Sequence, residues 1–252
     1  MAETILVTGA SAGFGKAIAQ KFASQGFNLV ITGRRGPLLE QLKKELESAY
    51  GVAVWCSVFD IRNKEEVNKA VSTIPDRYLP VRILINNAGL AAGRDYFDEA
   101  SLDDWEQMID TNLKGLLYMS KAILPSLLQS SLPHIFNIGS TAGKEVYERG
   151  NVYCATKHAV DAISKAMRMD LLRHKIKVTA IHPGAAETEF SMVRFKGDSQ
   201  KADAVYEGYE PLHAEDIANV VWFCAGLPPH VCINDLVMTC TAQANSFLTF
   251  KG

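Results

Sequence analysis

The chain has 252 residues, of which 48% are hydrophobic and 21% charged, proportions typical of a folded domain with a sizeable core. Its 26 basic and 28 acidic residues give a formal net charge of −2 with no basic run of five or more residues, which argues against nucleic acid or a membrane surface as a partner. The five cysteines include no Cys-x-x-Cys pair, and no apolar stretch reaches about 18 residues, so we predict a cytoplasmic protein with reduced thiols and no metal site.

Short β-branched apolar runs alternate with amphipathic segments along the whole chain. The predicted strands are residues 4–8, 29–32, 53–58, 83–86, 134–138, 178–181 and 236–239. The predicted helices are residues 15–25, 37–50, 64–73, 102–129, 151–174 and 214–225. Because strands and helices alternate and no linker or repeat divides the chain, the pattern predicts one α/β domain with a parallel sheet covered on both faces.

A glycine-rich turn follows the first predicted strand, where residues 8–15 read TGASAGFG. Glycines let the backbone approach a pyrophosphate closely, and the N-terminus of the following helix offers free N–H groups and the positive end of its dipole. The alternative is a tight turn that needs glycine only for its own shape. Since a strand precedes the motif and a helix follows it, we favour a dinucleotide-binding turn.

The second predicted strand ends in Thr32-Gly33-Arg34-Arg35 and carries no carboxylate. In a Rossmann-type site an acidic residue here binds the ribose hydroxyls of NAD, whereas arginine accommodates the additional phosphate of NADP. The two arginines could instead be solvated charges ahead of a helix. Their position directly after the strand favours NADP over NAD.

Four polar residues in the middle of the chain are candidates for catalysis: Asn112, Ser140, Tyr153 and Lys157. Tyr153 and Lys157 are four residues apart on a predicted helix and therefore share a face. A nearby ammonium should lower the tyrosine pKa from its usual value of about 10 and make Tyr153 a usable general acid/base. Each residue also has an ordinary interpretation as a surface pair, a strand end or a helix interior position, but together they fill four roles of one site.

These motifs together resemble the short-chain dehydrogenase/reductase family, and the resemblance covers nearly the whole chain. It rests on TGxxxGxG at residues 8–15, Asn86-Asn87-Ala88-Gly89, the four candidate catalytic residues and Pro183-Gly184. It implies a doubly wound Rossmann fold with a seven-stranded parallel sheet and NADP(H) across its carboxyl ends. In the single domain 1–252, a cofactor half of about residues 1–135 would precede a catalytic and substrate half of about residues 136–252. The resemblance also implies a homotetramer.

The same resemblance assigns roles to individual residues. Tyr153 would donate the proton in reduction and accept it in oxidation, and Lys157 would lower the Tyr153 pKa and bind the nicotinamide ribose. Ser140 would hydrogen-bond the substrate oxygen, and Asn112 would hold a water that links Lys157 to solvent. The implied cofactor contacts are Gly9, Ser11, Gly13, Phe14, Gly15, Arg34, Arg35, Asp60, Ile61, Asn86, Ala88, Gly89, Tyr153, Lys157, Pro183, Gly184 and Thr188.

A long predicted loop, residues 184–210, is the candidate substrate loop. Its residues 187–198 resemble those of NADP-dependent 3-hydroxy acid dehydrogenases, which oxidise serine, allo-threonine and related acids and reduce malonic semialdehyde. Such small anionic substrates favour a cation in this loop, and Arg194 is the first candidate because a guanidinium can bind a carboxylate bidentately. The candidate substrate contacts are Ser140, Tyr147, Arg149 and Arg194, with Lys144 and Lys196 as weaker ones. Each cation could instead be a solvated surface charge.

Two differences from that subgroup keep other substrates open. Residues 144–152 are more charged than the small, apolar residues expected there, and His182 precedes Pro183-Gly184. The alternatives are a reductase of sulfoacetaldehyde or of a neutral ketone or diketone, and a non-catalytic NADP-binding sensor. A sensor would be expected to lack Tyr153, Lys157 or Ser140. The apolar tail, residues 241–252, is predicted to pack on a neighbouring subunit or near the mouth of the substrate site.

Overall fold

Seven parallel strands form one sheet in the computed structural model, which describes residues 2–252. The strands are β1 (Thr4–Thr8), β2 (Asn28–Gly33), β3 (Val54–Val58), β4 (Val81–Asn86), β5 (His134–Ile138), β6 (Lys177–Pro183) and β7 (Asp235–Met238). Their order across the sheet is β3-β2-β1-β4-β5-β6-β7. The strand order reverses between β1 and β4, which is where an open α/β sheet forms its ligand crevice. The predicted doubly wound fold is confirmed.

The described residues contain nine helices, most of which pack on the two faces of this sheet. They are α1 (Gly13–Ala23), α2 (Gly36–Tyr50), α3 (Lys64–Ser72), α4 (Leu102–Ile109), α5 (Leu116–Leu127), α6 (Asn151–Asp170), α7 (Glu189–Arg194), α8 (Ser199–Asp203) and α9 (Ala214–Ala225). Adjacent residues of β1 enter different cores: Ile5 packs with the cluster that contains Phe22 of α1, and Leu6 packs with the cluster that contains Ile123 of α5. This alternation follows from the two-residue period of a strand. Among residues 2–252, no helix is long and apolar enough to cross a membrane.

The helix predicted for residues 102–129 is not continuous. It ends as α4 at Ile109, widens into a π-type turn at Asp110–Gly115 and resumes as α5 at Leu116. Such turns occur frequently at functional sites, and this one contains Asn112. Gly115 lies close against Ile61, because a Cβ at this glycine would come within 2.9 Å of Ile61 Cγ2. The helix predicted for 151–174 also ends earlier, at Asp170, before a short 3₁₀ turn at Leu172–His174.

The candidate substrate loop contains two short helices, α7 and α8, that the sequence analysis did not predict. Thr188 caps α7 by accepting a hydrogen bond from the Phe190 N–H at 3.2 Å. The end of α7 is tied to the loop after β4, since the Gly93 N–H donates to the Arg194 carbonyl at 3.0 Å. The loop is therefore an ordered cover over the carboxyl end of the sheet.

The C-terminal tail lies beside this cover. The Ala185 N–H donates to Gln243 Oε1 at 2.7 Å, and the Ser246 N–H donates to a Glu145 carboxylate oxygen at 2.9 Å. Residues 241–252 thus include part of the cleft lining, in accord with the predicted placement near the substrate mouth, and their packing on a neighbouring subunit stays a prediction.

Candidate active site

A cleft of about 750 Å³ opens at the carboxyl ends of the central strands, a volume within the usual range of about 300–1,000 Å³ for ligand sites. The predicted site residues that line it are Gly9, Ser11, Gly13, Phe14, Arg34, Arg35, Asp60, Ile61, Ala88, Gly89, Ser140, Tyr147, Tyr153, Lys157, Pro183, Gly184, Thr188 and Arg194. Four other predicted residues do not line the cleft: Gly15, Asn86, Asn112 and Arg149. Most predicted site residues therefore line one cleft, and these four lie outside its wall.

The glycine turn has the close packing that a phosphate cradle needs. Gly9 and Gly13 have left-handed φ values of +66° and +51°, which glycine adopts without strain. A Cβ at Gly15 would lie 2.4 Å from the Gly9 carbonyl oxygen, so this glycine supports the turn from below instead of forming its surface. No side chain caps the N-terminus of α1, which leaves its first N–H groups available to an anion. The turn thus fits a dinucleotide pyrophosphate.

Asn86 differs from its predicted role as a cofactor contact. Its Nδ2 donates to Ser120 Oγ and to Asn137 Oδ1, both at 2.8 Å, beneath the floor of the cleft. The side chain is 4% exposed. Asn86 therefore joins three neighbouring elements under the site, and the cleft wall begins at Asn87.

Arg34 and Arg35 lie where the sequence predicts a phosphate-binding pair. Arg35 donates from Nη2 and Nε to Ser11 Oγ at 2.9 and 3.1 Å, and its Nη1 pairs with Glu189 at 2.8 Å. The nearby Asp60 is paired with Arg62, which holds the pKa of this carboxyl below its usual range. No acidic residue ends β2. The donors at this end of the cleft are therefore the arginine guanidinium groups and the Ser11 hydroxyl, and these groups suit a phosphate.

Tyr153 and Lys157 project from α6 into the cleft on one helix face, as their spacing predicts. Both side chains are buried, at 8% and 7% exposure. Lys157 Nζ donates to the Ile138 carbonyl at 2.9 Å and lies 6.0 Å from the centroid of the Tyr153 ring. Burial lowers the pKa of Lys157 from 10.5 to about 8, because a desolvated ammonium is less stable than the neutral amine.

The pKa of Tyr153 differs from the prediction. Burial raises the pKa of this phenol above its usual value, and the neighbouring Tyr147 adds to the rise. Hydrogen bonding to Ser140 and the charge of Arg194 lower the pKa, but they do not offset burial. The predicted lowering by Lys157 is therefore wrong for this structure, in which the ammonium is directed at the Ile138 carbonyl. The phenol stays protonated at neutral pH, which is the form that a proton donor needs.

Ser140 and Asn112 hold the backbone around this pair. Ser140 Oγ accepts a hydrogen bond from the Ala142 N–H at 3.1 Å, which caps a short 3₁₀ turn after β5. Asn112 forms two 2.8 Å hydrogen bonds with the backbone of Leu90 and donates to Thr156 Oγ1 at 3.1 Å. Both amide hydrogens of Asn112 are thus in use. The predicted water contact would need the second lone pair of Oδ1 or the backbone carbonyl.

The predicted cations occupy very different surroundings. Arg194 lies over the aromatic floor of the cleft, with its guanidinium carbon 5.6 Å from the centroid of the Tyr153 ring and 5.7 Å from that of Tyr147. Arg149 is exposed outside the cleft and stacks on Tyr96, with its guanidinium carbon 4.0 Å from the ring centroid. The prediction of Arg149 as a substrate contact is therefore wrong for this structure. The backbone at Arg149 is left-handed, with φ of +61°.

The two weaker candidates are held by carboxylates. Lys196 pairs with Asp104 at 2.8 Å. Lys144 contacts Asp161 at 2.9 Å and Asp235 at 2.5 Å, behind the cleft and next to the buried His182. Both ammonium groups already have anionic partners, which leaves Arg194 as the cation of this group that faces the cleft.

One residue of the cleft was missed by the sequence analysis. Arg94 lines the wall near Arg194, in the loop between β4 and α4. Its only sequence signal is an arginine five residues after the Asn-Asn-Ala-Gly motif ends at Gly89. A loop has no periodicity that tells which way a side chain points, so this position could not be chosen from the pattern.

Comparison with known proteins places these features in a family. The model of the short chain dehydrogenase family matches residues 3–199. The NADP-dependent 3-hydroxy acid dehydrogenase YdfG of Salmonella typhi is 46% identical over 241 residues, which cover 95% of this chain and 96% of that protein. A sulfoacetaldehyde reductase of Chromohalobacter salexigens is 43% identical over 245 residues, covering 97% and 96%. The closed form of a serine dehydrogenase complexed with NADP+ superposes with a TM-score of 0.93 at 44% identity and covers 99% of both chains.

Proposed function

The chain belongs to the short-chain dehydrogenase family, and on this premise we propose that it interconverts a small 3-hydroxy acid and its 3-oxo acid or semialdehyde with NADP(H). The proposal rests on the position of the Arg194 guanidinium. Its carbon lies 5.6 Å from the centroid of the Tyr153 ring, and its buried Nε has no hydrogen-bond partner. A half-buried guanidinium beside the proton donor, with one N–H left without an acceptor, is what a substrate carboxylate would complete. Serine, allo-threonine and 3-hydroxypropionate have that chemistry.

The relatives support this assignment of cofactor and substrate. Curated proteins of 44–46% identity are named NADP-dependent 3-hydroxy acid dehydrogenases, and a similar solved structure is a serine dehydrogenase with NADP+. The residues of this chain fit that cofactor. The glycine turn and α1 would hold the pyrophosphate, Ser11, Arg34 and Arg35 the additional phosphate, and Lys157 the nicotinamide ribose. When bound, NADP(H) supplies or accepts the hydride.

The protein's own residues supply the proton and hold the substrate. Tyr153 Oη donates its proton to the substrate oxygen during reduction and takes it back during oxidation. Burial keeps that proton on the phenol until a developing alkoxide accepts it. The Ser140 hydroxyl stabilises the charge on the same oxygen, and Arg194 fixes the carboxylate end of the substrate.

A substrate panel tests the proposal. The purified chain should oxidise L-serine, allo-threonine and 3-hydroxypropionate with NADP+ and should reduce malonic semialdehyde with NADPH. Neutral ketones and diketones should be much poorer, since they leave Arg194 without its anion. Faster turnover of neutral ketones than of every acid would contradict an anionic substrate, and the absence of turnover with NADPH bound would favour a non-catalytic sensor.

Sulfoacetaldehyde is the second candidate substrate. A sulfonate spreads one negative charge over three tetrahedrally arranged oxygens, two of which can accept hydrogen bonds from one guanidinium, so the same Arg194 contact would serve it. Two sulfoacetaldehyde reductases are 40% and 43% identical to this chain. Inclusion of sulfoacetaldehyde in the panel decides between the two head groups.

Replacing Arg35 with serine should change cofactor preference. The substitution removes the charged donor beside Ser11, so we expect the KM for NADPH to rise about 10- to 100-fold, as charge-assisted hydrogen bonds of about 1.5–3 kcal/mol predict. The KM for NADH should change little. Steady-state kinetics with both cofactors measures this, and Arg173→Ser, an exposed arginine after α6, is the matched control. An unchanged KM for NADPH would contradict the role of Arg35.

Assembly and location remain predictions from the sequence. A homotetramer in the cytoplasm is expected by resemblance, with the helices around residues 102–129 and 151–174 at a two-fold interface. A monomeric mass in solution would contradict the first of these predictions.

A further inference from the structure

Two arginines, not one, face the substrate end of the cleft. Arg94 and Arg194 come from separate segments that are joined by a backbone hydrogen bond, from the Gly93 N–H to the Arg194 carbonyl at 3.0 Å. Both line the cleft together with Tyr147 and Tyr153. The cover that carries Arg194 therefore brings its charge next to that of Arg94.

Neither charge has an anionic partner in the protein. Within residues 2–252, neither Arg94 nor Arg194 forms an ion pair. Asp104 pairs with Lys196, and the Glu148 carboxylate, whose charge acts on Arg94 from a distance, forms no ion pair with it and accepts a hydrogen bond from Tyr96 at 3.4 Å. The pKa of Arg94 is lowered by burial and by the Arg194 charge, as expected for two cations that share one wall. Such a pair is unfavourable until an anion lies between or beside the two guanidinium groups.

The positions of the two groups differ in a way that matters for the substrate. Arg194 lies over the Tyr153 ring and has a buried Nε, so it is the arginine beside the proposed proton donor. Arg94 is the more exposed of the two and stands in the loop after β4. One guanidinium is sufficient for one carboxylate, because it can bind both oxygens at once. The second guanidinium therefore lacks a function if the substrate has a single acidic group.

We propose that the preferred substrate is a 3-hydroxy acid with a second acidic group, which Arg94 binds while Arg194 holds the first. The inference rests on the proposed function and narrows it to dianions such as 3-hydroxy dicarboxylates. Arg94 is then a residue that determines specificity, and it acts on substrate binding more than on turnover.

A matched pair of substrates tests the role of Arg94. 3-Hydroxyglutarate and 3-hydroxybutyrate share the secondary alcohol and one carboxylate, and only the first has another carboxylate. With NADP+, wild-type protein should show a KM for 3-hydroxyglutarate at least about 10-fold below that for 3-hydroxybutyrate, the gain expected from one charge-assisted hydrogen-bonded contact. Arg94→Gln should remove this difference by raising the KM for 3-hydroxyglutarate alone, whereas Arg94→Lys should restore part of it.

Two further variants distinguish this effect from a general loss of charge. Arg194→Gln should raise the KM for both acids, since it holds the carboxylate that they share. Arg173→Gln removes the same charge from an exposed arginine after α6 that does not line the cleft, and it should affect neither substrate. Equal loss for both acids in Arg94→Gln, or a wild-type preference for 3-hydroxybutyrate, would overturn the inference.

A binding measurement separates this inference from the proposed function. Glutarate and butyrate lack the hydroxyl group and cannot react, so their effect on thermal unfolding reports binding alone. Glutarate should raise the melting temperature of wild-type protein more than butyrate does, and this advantage should disappear in Arg94→Gln. If no 3-hydroxy acid is oxidised, the proposed function fails; if single acids are oxidised but glutarate gives no advantage, only the dianion inference fails.

Discussion

Tyr153→Phe is expected to lower kcat by about a thousandfold or more, within the range that general acid–base groups contribute. The substitution removes one oxygen and keeps the ring, which packs 5.7 Å from the Phe190 ring, centroid to centroid. Because burial raises the pKa of Tyr153, its phenol is the protonated group at neutral pH and the one available to the substrate oxygen. The variant should still fold and should bind NADPH with an affinity within about twofold of wild type, since the loss concerns the transition state.

The neighbouring tyrosine provides the control. Tyr147 also lines the cleft, and burial raises its pKa as well, but it lies in the loop before α6 and not one helical turn from Lys157. Tyr147→Phe should therefore lower kcat by less than about tenfold, as the loss of one ordinary hydrogen bond predicts. Steady-state turnover and fluorescence titration with NADPH measure the two effects separately. A Tyr153→Phe protein with more than a tenth of wild-type turnover would contradict the proton-donor role.

Most of the fold could be predicted because its signals are local. Each of the seven strands is a short apolar run, and the glycine turn and the Tyr153–Lys157 pair are defined by spacings of a few residues. In a parallel sheet the carboxyl ends of neighbouring strands meet at one edge, so motifs at strand ends had to converge on one cleft.

The features that could not be predicted depend on packing between distant segments. The π-type turn at Asp110–Gly115 adds a single residue to the helical turn. A change of one residue is too small to be recognised in the amphipathic pattern of the sequence. Arg94 and Arg149 are both arginines in loops, and only the tertiary structure turns one toward the cleft and the other onto Tyr96.

The pKa of Tyr153 also depends on packing between distant segments. Spacing alone suggested that Lys157 would lower it, but the cover formed by α7 and the surrounding aromatic rings remove the phenol from solvent. Desolvation then exceeds the effect of a lysine whose ammonium is directed elsewhere.

Lys157→Met is expected to abolish activity and at the same time stabilise the folded protein near pH 7. Lys157 is buried, and its pKa falls from 10.5 to about 8, so the folded state holds an ammonium that it destabilises. At about 1.4 kcal/mol per pKa unit, the unfavourable contribution at neutral pH is about 3 kcal/mol. Methionine fills a similar volume without charge, and the loss of the hydrogen bond to the Ile138 carbonyl costs about 1 kcal/mol. The net gain in the free energy of unfolding should be about 2 kcal/mol.

The pH dependence of this gain distinguishes a charge effect from better packing. Below pH 8 the lysine is charged in both the folded and the unfolded chain, so its destabilising contribution is constant. Between about pH 8 and 10.5 the folded protein releases the proton while the unfolded chain keeps it, and wild-type stability from this group rises with pH. The advantage of Lys157→Met should therefore shrink across that window, and above it the variant should be the less stable protein by the cost of the lost hydrogen bond, about 1 kcal/mol. Urea unfolding of both proteins from pH 7 to 10.5 measures this, with Lys165→Met, an exposed lysine on the same helix, as the control. A stability difference that does not change with pH would mean that the buried charge is not its cause.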